Sequence, residues 1–351
     1  MEEAPYKKHL LQEGSTIRKA LERLDFLAKD AILFIVDEQQ NLIGSLTDGD
    51  VRRGLLNGFT IDSLVDEIIQ LSPRFIQKGE NDIQKVIEYR DNNFRIIPIL
   101  DKKKKIVNVV NFRELRSYLP IDAVIMAGGR GERLRPLTDT TPKSLLKVGD
   151  KSIIEHNLDR LRLYGIDDYW ISIKYLGEQI EAHIGDGNDR NVNIQYVKEN
   201  NPLGTIGAVS LINNFQHDYI LITNSDLLTN LDYEHFFLDF LKSTADFSVV
   251  TIPYSVNVPY AVLETSNGHV VDFKEKPTYT YYSNAGIYLM KKEILEFVPH
   301  NLFYNATDLM EELIRNKKKV ISYPMQGYWL DIGRLEDYEK ARIDFTRIKF
   351  D

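Results

Sequence analysis

Residues 121–149, IDAVIMAGGRGERLRPLTDTTPKSLLKVG, constrain the fold of this chain more than any other stretch. They open with a short apolar run, Ala123 to Met126, which predicts a buried strand. The loop that follows interleaves glycines with arginines: Gly128, Gly129, Arg130, Gly131, Arg133 and Arg135. Glycines let backbone amides approach a ligand closely, and arginines add charge and fork-shaped donors. Such a loop directly after a strand suits a polyphosphate, whereas a solvated Gly-rich turn is the plainer alternative.

The charge of the whole chain narrows the choice of anionic ligand. The 351 residues carry a formal net charge of −8. An acidic chain has no strong positive field to gather a nucleic acid, so nonspecific nucleic-acid binding is not expected. The local arginine cluster, with Lys143 placed after Pro142 at the far end of the loop, therefore suits a small anionic ligand better than a polymer.

Cysteine usage and hydropathy predict a soluble, cytoplasmic protein. The absence of cysteine excludes disulfides, thiolate chemistry and Cys-bound zinc, and it is compatible with a reducing compartment. The first ten residues, MEEAPYKKHL, show no apolar segment of the signal-peptide type. No apolar run approaches the ~18 residues of a membrane span, so no membrane partner is expected.

Residues 1–119 contain an internal repeat, with copies at about 1–64 and 65–119. The apolar runs 31–36 and 42–46 of the first copy return as 95–100 and 106–110 in the second. Each copy is predicted to read helix, strand, turn, strand, helix. Two copies of this size are expected to form a paired module with a core between the halves.

This repeat resembles a tandem CBS (Bateman) module. The family's signature after the second strand is matched by Gly44–Ser–Leu–Thr47–Asp–Gly–Asp50. The resemblance implies that Thr47 and Asp50 contact the phosphate and ribose of a regulatory nucleotide. In the second copy Asn111 and Glu114 replace these residues, which weakens the case for a second site. The alternative is that the module serves only as a dimerisation scaffold.

Residues 120–351 are predicted to form a second, larger domain. Apolar runs of strand length alternate there with helical patterns, which is typical of a mainly parallel sheet covered on both faces. Ligands of such sheets bind at the carboxyl ends of the strands. The side chains that directly follow each strand are therefore the candidates for chemistry.

The strand at 193–197 is followed by Glu199, and Gly204 and Thr205 lie in the next turn. A carboxylate can accept hydrogen bonds from two adjacent donors, which guanine offers at N1 and N2. Uracil and thymine present one donor between carbonyls, and an unpaired group there would cost roughly 1–3 kcal/mol. Glu199 is thus either a guanine-reading residue or a surface glutamate beside a loop.

Further carboxylates follow later strands. Asp226 and Asp331 are candidate Mg²⁺ ligands, because this ion is held by few carboxylates together with phosphate oxygens. For Asp226 a helix N-cap is the structural alternative. Glu275 and Lys276 stand together before Pro277, and Asn284 precedes another strand. They suit a sugar phosphate, and a surface ion pair is the alternative for Glu275 and Lys276.

Taken together, these residues resemble the sugar-1-phosphate nucleotidyltransferase (nucleotide-sugar pyrophosphorylase) family over about residues 121–340. The family signature appears as Gly129–Arg–Gly131–Glu–Arg133–Leu–Arg–Pro136, then Pro142–Lys143, and the Asn-Ser-Asp, Glu-Lys-Pro, Asn-Ala-Gly and Trp-x-Asp-x-Gly elements follow in order. The resemblance implies a Rossmann-like, mixed but mainly parallel sheet, preceded here by the tandem CBS module. It also implies catalytic residues Arg133 and Lys143, a Mg²⁺ cofactor on Asp226 and Asp331, and sugar-phosphate contacts from Glu275, Lys276 and Asn284. The nucleotide contacts it implies are Ala127, Gly128, Gly129, Gly131, Glu199, Gly204 and Thr205.

The implied reaction joins a nucleoside triphosphate to a sugar 1-phosphate and releases pyrophosphate. The Pro-Leu-Gly-Thr segment after Glu199 looks like the guanylyltransferase branch, with glucosamine or mannose 1-phosphate as the second substrate. With the repeat in front, the chain is similar to the glucosamine-1-phosphate guanylyltransferases of legionaminic acid pathways. The alternatives are a uridylyl- or thymidylyltransferase acting on glucose 1-phosphate, and an inactive nucleotide-sensing protein. A homo-oligomer is expected, because CBS-like modules commonly pair.

Overall fold

The computed structural model describes residues 4–80 and 82–348. Its N-terminal part contains two small sheets with strand orders β1-β2-β3-β4 and β5-β6-β7. The elements are β1 (Leu10–Gln12), α1 (Ile17–Leu27), β2 (Ile32–Val36), β3 (Leu42–Thr47), α2 (Asp48–Leu56), β4 (Gln70–Leu71), β5 (Ile76–Gln77), α3 (Ile83–Asp91), β6 (Ile96–Leu100) and β7 (Ile106–Asn111). The first copy therefore has the predicted order of helix, strand, turn, strand and helix.

The second copy departs from that order. After β7 the chain makes a turn at residues 112–114 and continues without a helix to residue 121. The Asn111 side chain directs this turn, since its oxygen accepts from the amide of Arg113 while its nitrogen donates to Asp30. The prediction of a closing helix in the second copy was wrong. The division between the two sheets also falls after β4, later than the predicted boundary at residue 64.

The two halves share a core, as the repeat predicted. Phe34 and Val36 of β2 pack with Leu100, Ile106 and Val109 of the second half. The turns between the paired strands also meet, because the amide of Leu42 donates to Lys104 and that of Ile106 donates to Gln40. Burial of these apolar side chains fixes the halves against each other.

The C-terminal part is built on a seven-stranded sheet of order β12-β11-β8-β13-β18-β15-β19. Four neighbouring pairs in it are parallel, and β18 is antiparallel to both β13 and β15. The mixed, mainly parallel sheet is thus confirmed. Its strands and helices are β8 (Ile121–Ala127), β9 (Lys147–Val148), β10 (Lys151–Ser152), α4 (Ile153–Leu163), β11 (Asp168–Ile173), α5 (Gly177–Ile184), β12 (Asn193–Lys198), β13 (Tyr219–Asn224), β14 (Leu227–Thr229), α6 (Tyr233–Ser243), β15 (Phe247–Asn257), β16 (Val262–Ser266), β17 (His269–Lys274), β18 (Thr278–Lys291), α7 (Ala306–Arg315), β19 (Val320–Pro324), β20 (Trp329–Asp331) and α8 (Leu335–Phe345).

Local sequence explains the central elements. Nearly every side chain of β8 and β11 is buried, as expected for inner strands covered on both faces. Helix α4 begins at a capping box in which Ser152 and Glu155 bond to each other's backbone amides. Helix α8 ends at Phe345, and residues 349–351 lie outside the described part of the chain.

A buried charge cluster joins the two parts at the amino edge of the large sheet. The Lys78 Nζ lies 2.9 Å from an oxygen of Asp168 and 3.7 Å from one of Asp167. His217 Nε2 lies 3.4 Å from Asp168, and the His217 amide donates to Asp122. Although burial opposes the charge of Lys78, Asp167 and Asp168 raise its pKa. The N-terminal part is thus held to the large sheet by an ion pair next to apolar side chains of the shared core.

None of the helices among residues 4–80 and 82–348 combines the length and apolar character that crossing a membrane requires.

Candidate active site

The glycine-rich loop leaves the carboxyl end of β8, which is the predicted buried strand and has a parallel neighbour on each side. Gly131 has φ +64°, and a Cβ there would lie 3.0 Å from Thr138 and 3.1 Å from the Lys143 side chain. At Gly128 a Cβ would lie 2.7 Å from Glu199 Oε1, so a larger residue there would displace this carboxylate. Within the described residues, the amides of Gly129 to Glu132 donate to no protein acceptor. These amides are available to an anion, as expected of a polyphosphate loop.

Lys143 and the two predicted metal ligands form one cluster beside the loop. Lys143 donates from Nζ to the Asp226 carboxylate and lies 3.9 Å from Asp331 Oδ1. The antiparallel pairing of β14 with β20 places Asp331 opposite Leu227, the neighbour of Asp226. A strand follows Asp226, and the next helix is capped by Asp232. The helix-cap alternative for Asp226 is therefore excluded.

Asp226 and Asp331 have unused ligand atoms. The Oδ1 atoms of both residues are buried and accept no hydrogen bond within the described part of the chain. Burial and the nearby charge of Asp226 raise the pKa of Asp331, although Lys143 and Arg133 oppose that rise. Two carboxylates that repel each other in a partly dry site need a cation between them. Lys143 supplies one such cation. A divalent ion beside bound phosphates would suit the unused Oδ1 atoms of the two carboxylates.

These elements surround a cleft of 880 Å³ at the carboxyl edge of the sheet. Its lining includes predicted residues from three strand ends and the loop: Ala127, Gly128, Gly129, Gly131, Arg133, Lys143, Glu199, Gly204, Thr205 and Asp226. The Arg133 guanidinium also lies near the backbone of Gly333, two residues after Asp331. The volume is in the range of small-molecule sites, about 300–1,000 Å³.

Glu199 is oriented by its neighbours. Its Oε1 accepts from the Ser172 hydroxyl, and its Oε2 accepts from the amide of Leu203 at 3.1 Å. An ionised carboxylate has about four acceptor positions, so capacity remains for a ligand. The turn after it leads into a short 3-10 helix, Gly207–Leu211. Thr205 is tied to the start of α7, because its hydroxyl accepts from the Ala306 amide.

The predicted sugar-phosphate residues are not brought together with the cleft. Glu275 and Lys276 lie between β17 and β18, are exposed, and do not line the cleft. Asn284 lies at the base of this segment, where its side chain accepts from the Gly286 amide and donates to the Tyr288 hydroxyl. The family resemblance implies that all three contact the sugar phosphate, and that role stays a prediction.

The predicted regulatory residues Thr47 and Asp50 form a capping box at the start of α2. The Asp50 side chain is 4% exposed and also accepts hydrogen bonds from Arg53 and Gln70. Both residues are thus engaged within the fold, as a helix cap requires. A nucleotide would have to compete with these bonds.

Sequence reasoning missed two groups of residues. Lys174 lines the cleft directly after β11, and applying the strand-end rule there would have found it. Phe303 comes from the loop before α7 and has no local signal. At the opposite edge of the sheet, Asp167, Asp168 and His217 have metal-ligand spacing. The Lys78 ammonium already lies against both carboxylates, so we assign the group to an ion-pair cluster and not to an open metal site.

Comparisons with known proteins agree with this geometry. The chain is 30% identical over 239 residues to a UTP–glucose-1-phosphate uridylyltransferase of Synechocystis sp., covering 62% of each chain. It is also 30% identical over 234 residues to a mannose-1-phosphate guanylyltransferase of Mycobacterium tuberculosis, covering 65% of each. The aligned part thus spans about two thirds or less of the length of these relatives. A D-glycero-alpha-D-manno-heptose 1-phosphate guanylyltransferase of Aneurinibacillus thermoaerophilus is 28% identical, over 63% of this chain and 97% of that one.

Solved structures and a family model complete the comparison. A provisionally named glucose-1-phosphate thymidylyltransferase of Bacillus anthracis, in complex with sucrose, shares the fold with a TM-score of 0.53. It is 23% identical and covers 66% of this chain and 97% of its own. The model described as "Nucleotidyl transferase" matches residues 122–347, which contain the loop, the cleft and both metal-ligand candidates. By this match, the chain belongs to the nucleotidyl transferase family.

Proposed function

We propose that the chain is a sugar-1-phosphate nucleotidyltransferase, which converts a nucleoside triphosphate and a sugar 1-phosphate into a nucleoside-diphosphate sugar and pyrophosphate. The observation that carries this proposal is the cluster of Lys143, Asp226 and Asp331 beside a loop with available amides. A cation with two carboxylates next to an anion loop suits the meeting of two phosphate groups.

The reaction depends on neutralising the charges of two phosphate groups and not on transferring a proton. An anionic oxygen of the sugar phosphate attacks the α-phosphorus, and the bond to the pyrophosphate oxygen breaks in line. Because the attacking oxygen is already anionic, no general base is needed, and the residues found to line the cleft include no histidine. Lys143, Arg133 and the loop amides would hold the phosphates and screen their repulsion.

The residues present fit a Mg²⁺ cofactor on Asp226 and Asp331. Their buried Oδ1 atoms are hard oxygen ligands that accept no hydrogen bond from residues 4–80 or 82–348, and Mg²⁺ typically takes one or two carboxylates plus phosphate oxygens. When bound, the ion would neutralise charge on the phosphate groups.

We favour guanine as the base. Glu199 is held at the end of β12 by Ser172 and Leu203 and keeps acceptor capacity for the adjacent donors of guanine. Guanylyltransferases among the relatives support this choice. The uridylyltransferase of Synechocystis sp. keeps UTP as the second candidate. Glucosamine 1-phosphate and mannose 1-phosphate are the proposed partners, with Glu275, Lys276 and Asn284 as contacts to the sugar phosphate.

The N-terminal part is proposed to be a tandem CBS module. Its two halves with a shared core support this, and the missing closing helix of the second copy departs from it. The proposed ligand is a nucleotide at Thr47 and Asp50, with dimerisation as the alternative role. Calorimetry with ATP and AMP on the wild-type full chain and on Thr47→Ala tests it, because the variant should lose heat from the N-terminal site and keep any heat from the cleft. Equal heats from both chains at millimolar nucleotide would reject it.

A substrate matrix tests the main proposal. GTP, UTP, dTTP and ATP are each combined with glucosamine, mannose and glucose 1-phosphates, and pyrophosphate release is followed with Mg²⁺ present. We expect GTP to give the highest kcat/KM. A preference for UTP or dTTP would reject Glu199 as a guanine-reading residue, and no pyrophosphate from any pair would reject the enzyme class.

A further inference from the structure

Two strands of the large sheet continue far beyond it as an isolated ribbon. The pairing of β13 with β18 ends at Ile287, and the pairing of β19 with β15 ends at Thr251. Strands β15 and β18 nevertheless continue to pair with each other, from Thr251–Asn284 to Asn257–Thr278. The hairpin of β16 and β17 extends the ribbon further. We call residues 253–283 the arm. Nearly every residue of the arm is exposed, including both faces of the hairpin.

The arm is apolar for a segment in contact with water. Its exposed large apolar side chains are Tyr254, Val256, Tyr260, Leu263, Val270, Val271, Phe273, Tyr281 and Tyr282. Tyr260 is 75% exposed. A two-stranded ribbon without a core is only marginally stable in water. Exposed apolar surface of this extent typically marks an interaction site.

The same arm carries residues that the cleft lacks. Glu275 and Lys276 are the proposed sugar-phosphate contacts, yet both lie exposed on the arm and neither lines the cleft. The site is therefore incomplete as it stands. Something must bring an arm and a cleft together for the proposed reaction, and this step rests on the proposed function.

We propose that the arm docks on a second copy of this chain and supplies Glu275 and Lys276 to the cleft of that copy. The size is suitable, since a stable interface uses about 20–30 residues on each side and the arm exposes most of residues 253–283. The cleft also has an apolar rim, because Leu302 and Phe303 are about 60% exposed and Phe303 lines the cleft. Reciprocal exchange of two arms gives a closed, two-fold dimer.

The pairing of the arm favours a partner over its own cleft. Its ladder continues that of the large sheet, and the register is irregular only between Val249 and Thr251 at the base. Because Glu275 and Lys276 do not line their own cleft while this ladder is formed, reaching it would require the ladder to be rearranged. Docking on a second copy leaves the ladder intact and covers the apolar side chains of both arms.

Mixed dimers of two inactive variants test the proposal. Lys143→Ala removes the cleft lysine, and Lys276→Ala removes the arm lysine. With the two variants coexpressed under different affinity tags, the doubly purified dimer has one cleft with Lys143 intact. If arms are exchanged, that cleft receives the intact Lys276, and we expect about half of the wild-type activity per dimer. If each arm serves its own cleft, the dimer is as inactive as its parents, which would overturn the proposal.

Sedimentation separates failure of docking from failure of the proposed function. We expect the wild-type chain to sediment as a dimer and the Tyr260→Ser/Phe273→Ser variant to shift toward monomer. Lys274→Ala, an exposed change on the same hairpin, should leave the dimer unchanged. A monomeric wild type, or a double variant that keeps both full dimerisation and full activity, would refute the docking arm. Full activity of Lys276→Ala alone would instead refute the role of Lys276, and sedimentation would still decide the pairing.

Discussion

Replacing Lys143 by methionine removes one ammonium group and keeps most of the aliphatic side chain. The group is 13% exposed, bonded to Asp226, and 3.9 Å from Asp331. Two unit charges about 4 Å apart interact by about 4 kcal/mol at an effective dielectric constant of about 20. A bound phosphate at a similar distance from the ammonium would gain at most this energy. The gain is smaller than that limit, because Asp331 is 45% exposed and solvent screens the charges of the cluster. Losing one preorganised charge contact typically costs about 2.7–4 kcal/mol in the transition state, so we expect kcat to fall about 100- to 1,000-fold.

The assay is pyrophosphate release at saturating GTP, sugar 1-phosphate and Mg²⁺, with circular dichroism to confirm the fold. Lys147→Met is the matched control, because Lys147 lies four residues further on and is exposed. We expect the control to keep kcat within about twofold of wild type. Removing the ammonium also leaves Asp226 and Asp331 facing each other, so Mg²⁺ should raise the melting temperature of Lys143→Met more than that of wild type. A kcat within threefold of wild type would refute the role given to Lys143.

Four further changes have defined outcomes. Asp226→Asn should raise the Mg²⁺ concentration needed for half-maximal activity about tenfold or more, and an unchanged titration would remove Asp226 from the metal site. Burial raises the pKa of Asp122 from 3.8 to about 6, so its cost in stability builds up as the pH rises between these two values and is fully present above the higher one. Asp122→Asn should therefore stabilise the protein by up to about 3 kcal/mol at pH 8 and have little effect at pH 4, in urea melts at each pH. Lys78→Met leaves Asp167 and Asp168 buried without their cation and should cost about 3–5 kcal/mol, with a loss below 1 kcal/mol contradicting the ion pair. Thr47→Ala removes a helix cap and should cost about 1 kcal/mol whether or not a nucleotide binds.

Features that depend on neighbouring residues could be predicted from the sequence. The apolar run before Gly128 forms the buried strand β8, and the first copy of the repeat has its predicted order. The rule that ligand groups follow parallel strands placed Glu199 and Asp226 at the edge where the cleft lies. These predictions hold because hydrophobic period and turn chemistry act over a few residues.

The sequence alone could not decide which distant segments meet. The pairing of β14 with β20 brings Asp331 beside Asp226 and excludes the helix cap, although no local pattern predicts this contact. Where the second copy was predicted to close with a helix, the chain makes a turn instead, and Asn111 at its start bonds to Asp30 of the first copy. Lys276 follows its motif as expected, yet the continuing ladder of β15 and β18 carries it away from the cleft. Long-range pairing and packing override local signals in these places, because burial and backbone hydrogen bonds are satisfied only in the assembled fold. The sequence by itself thus determined the chemical groups, and the tertiary structure decided which of them share a site.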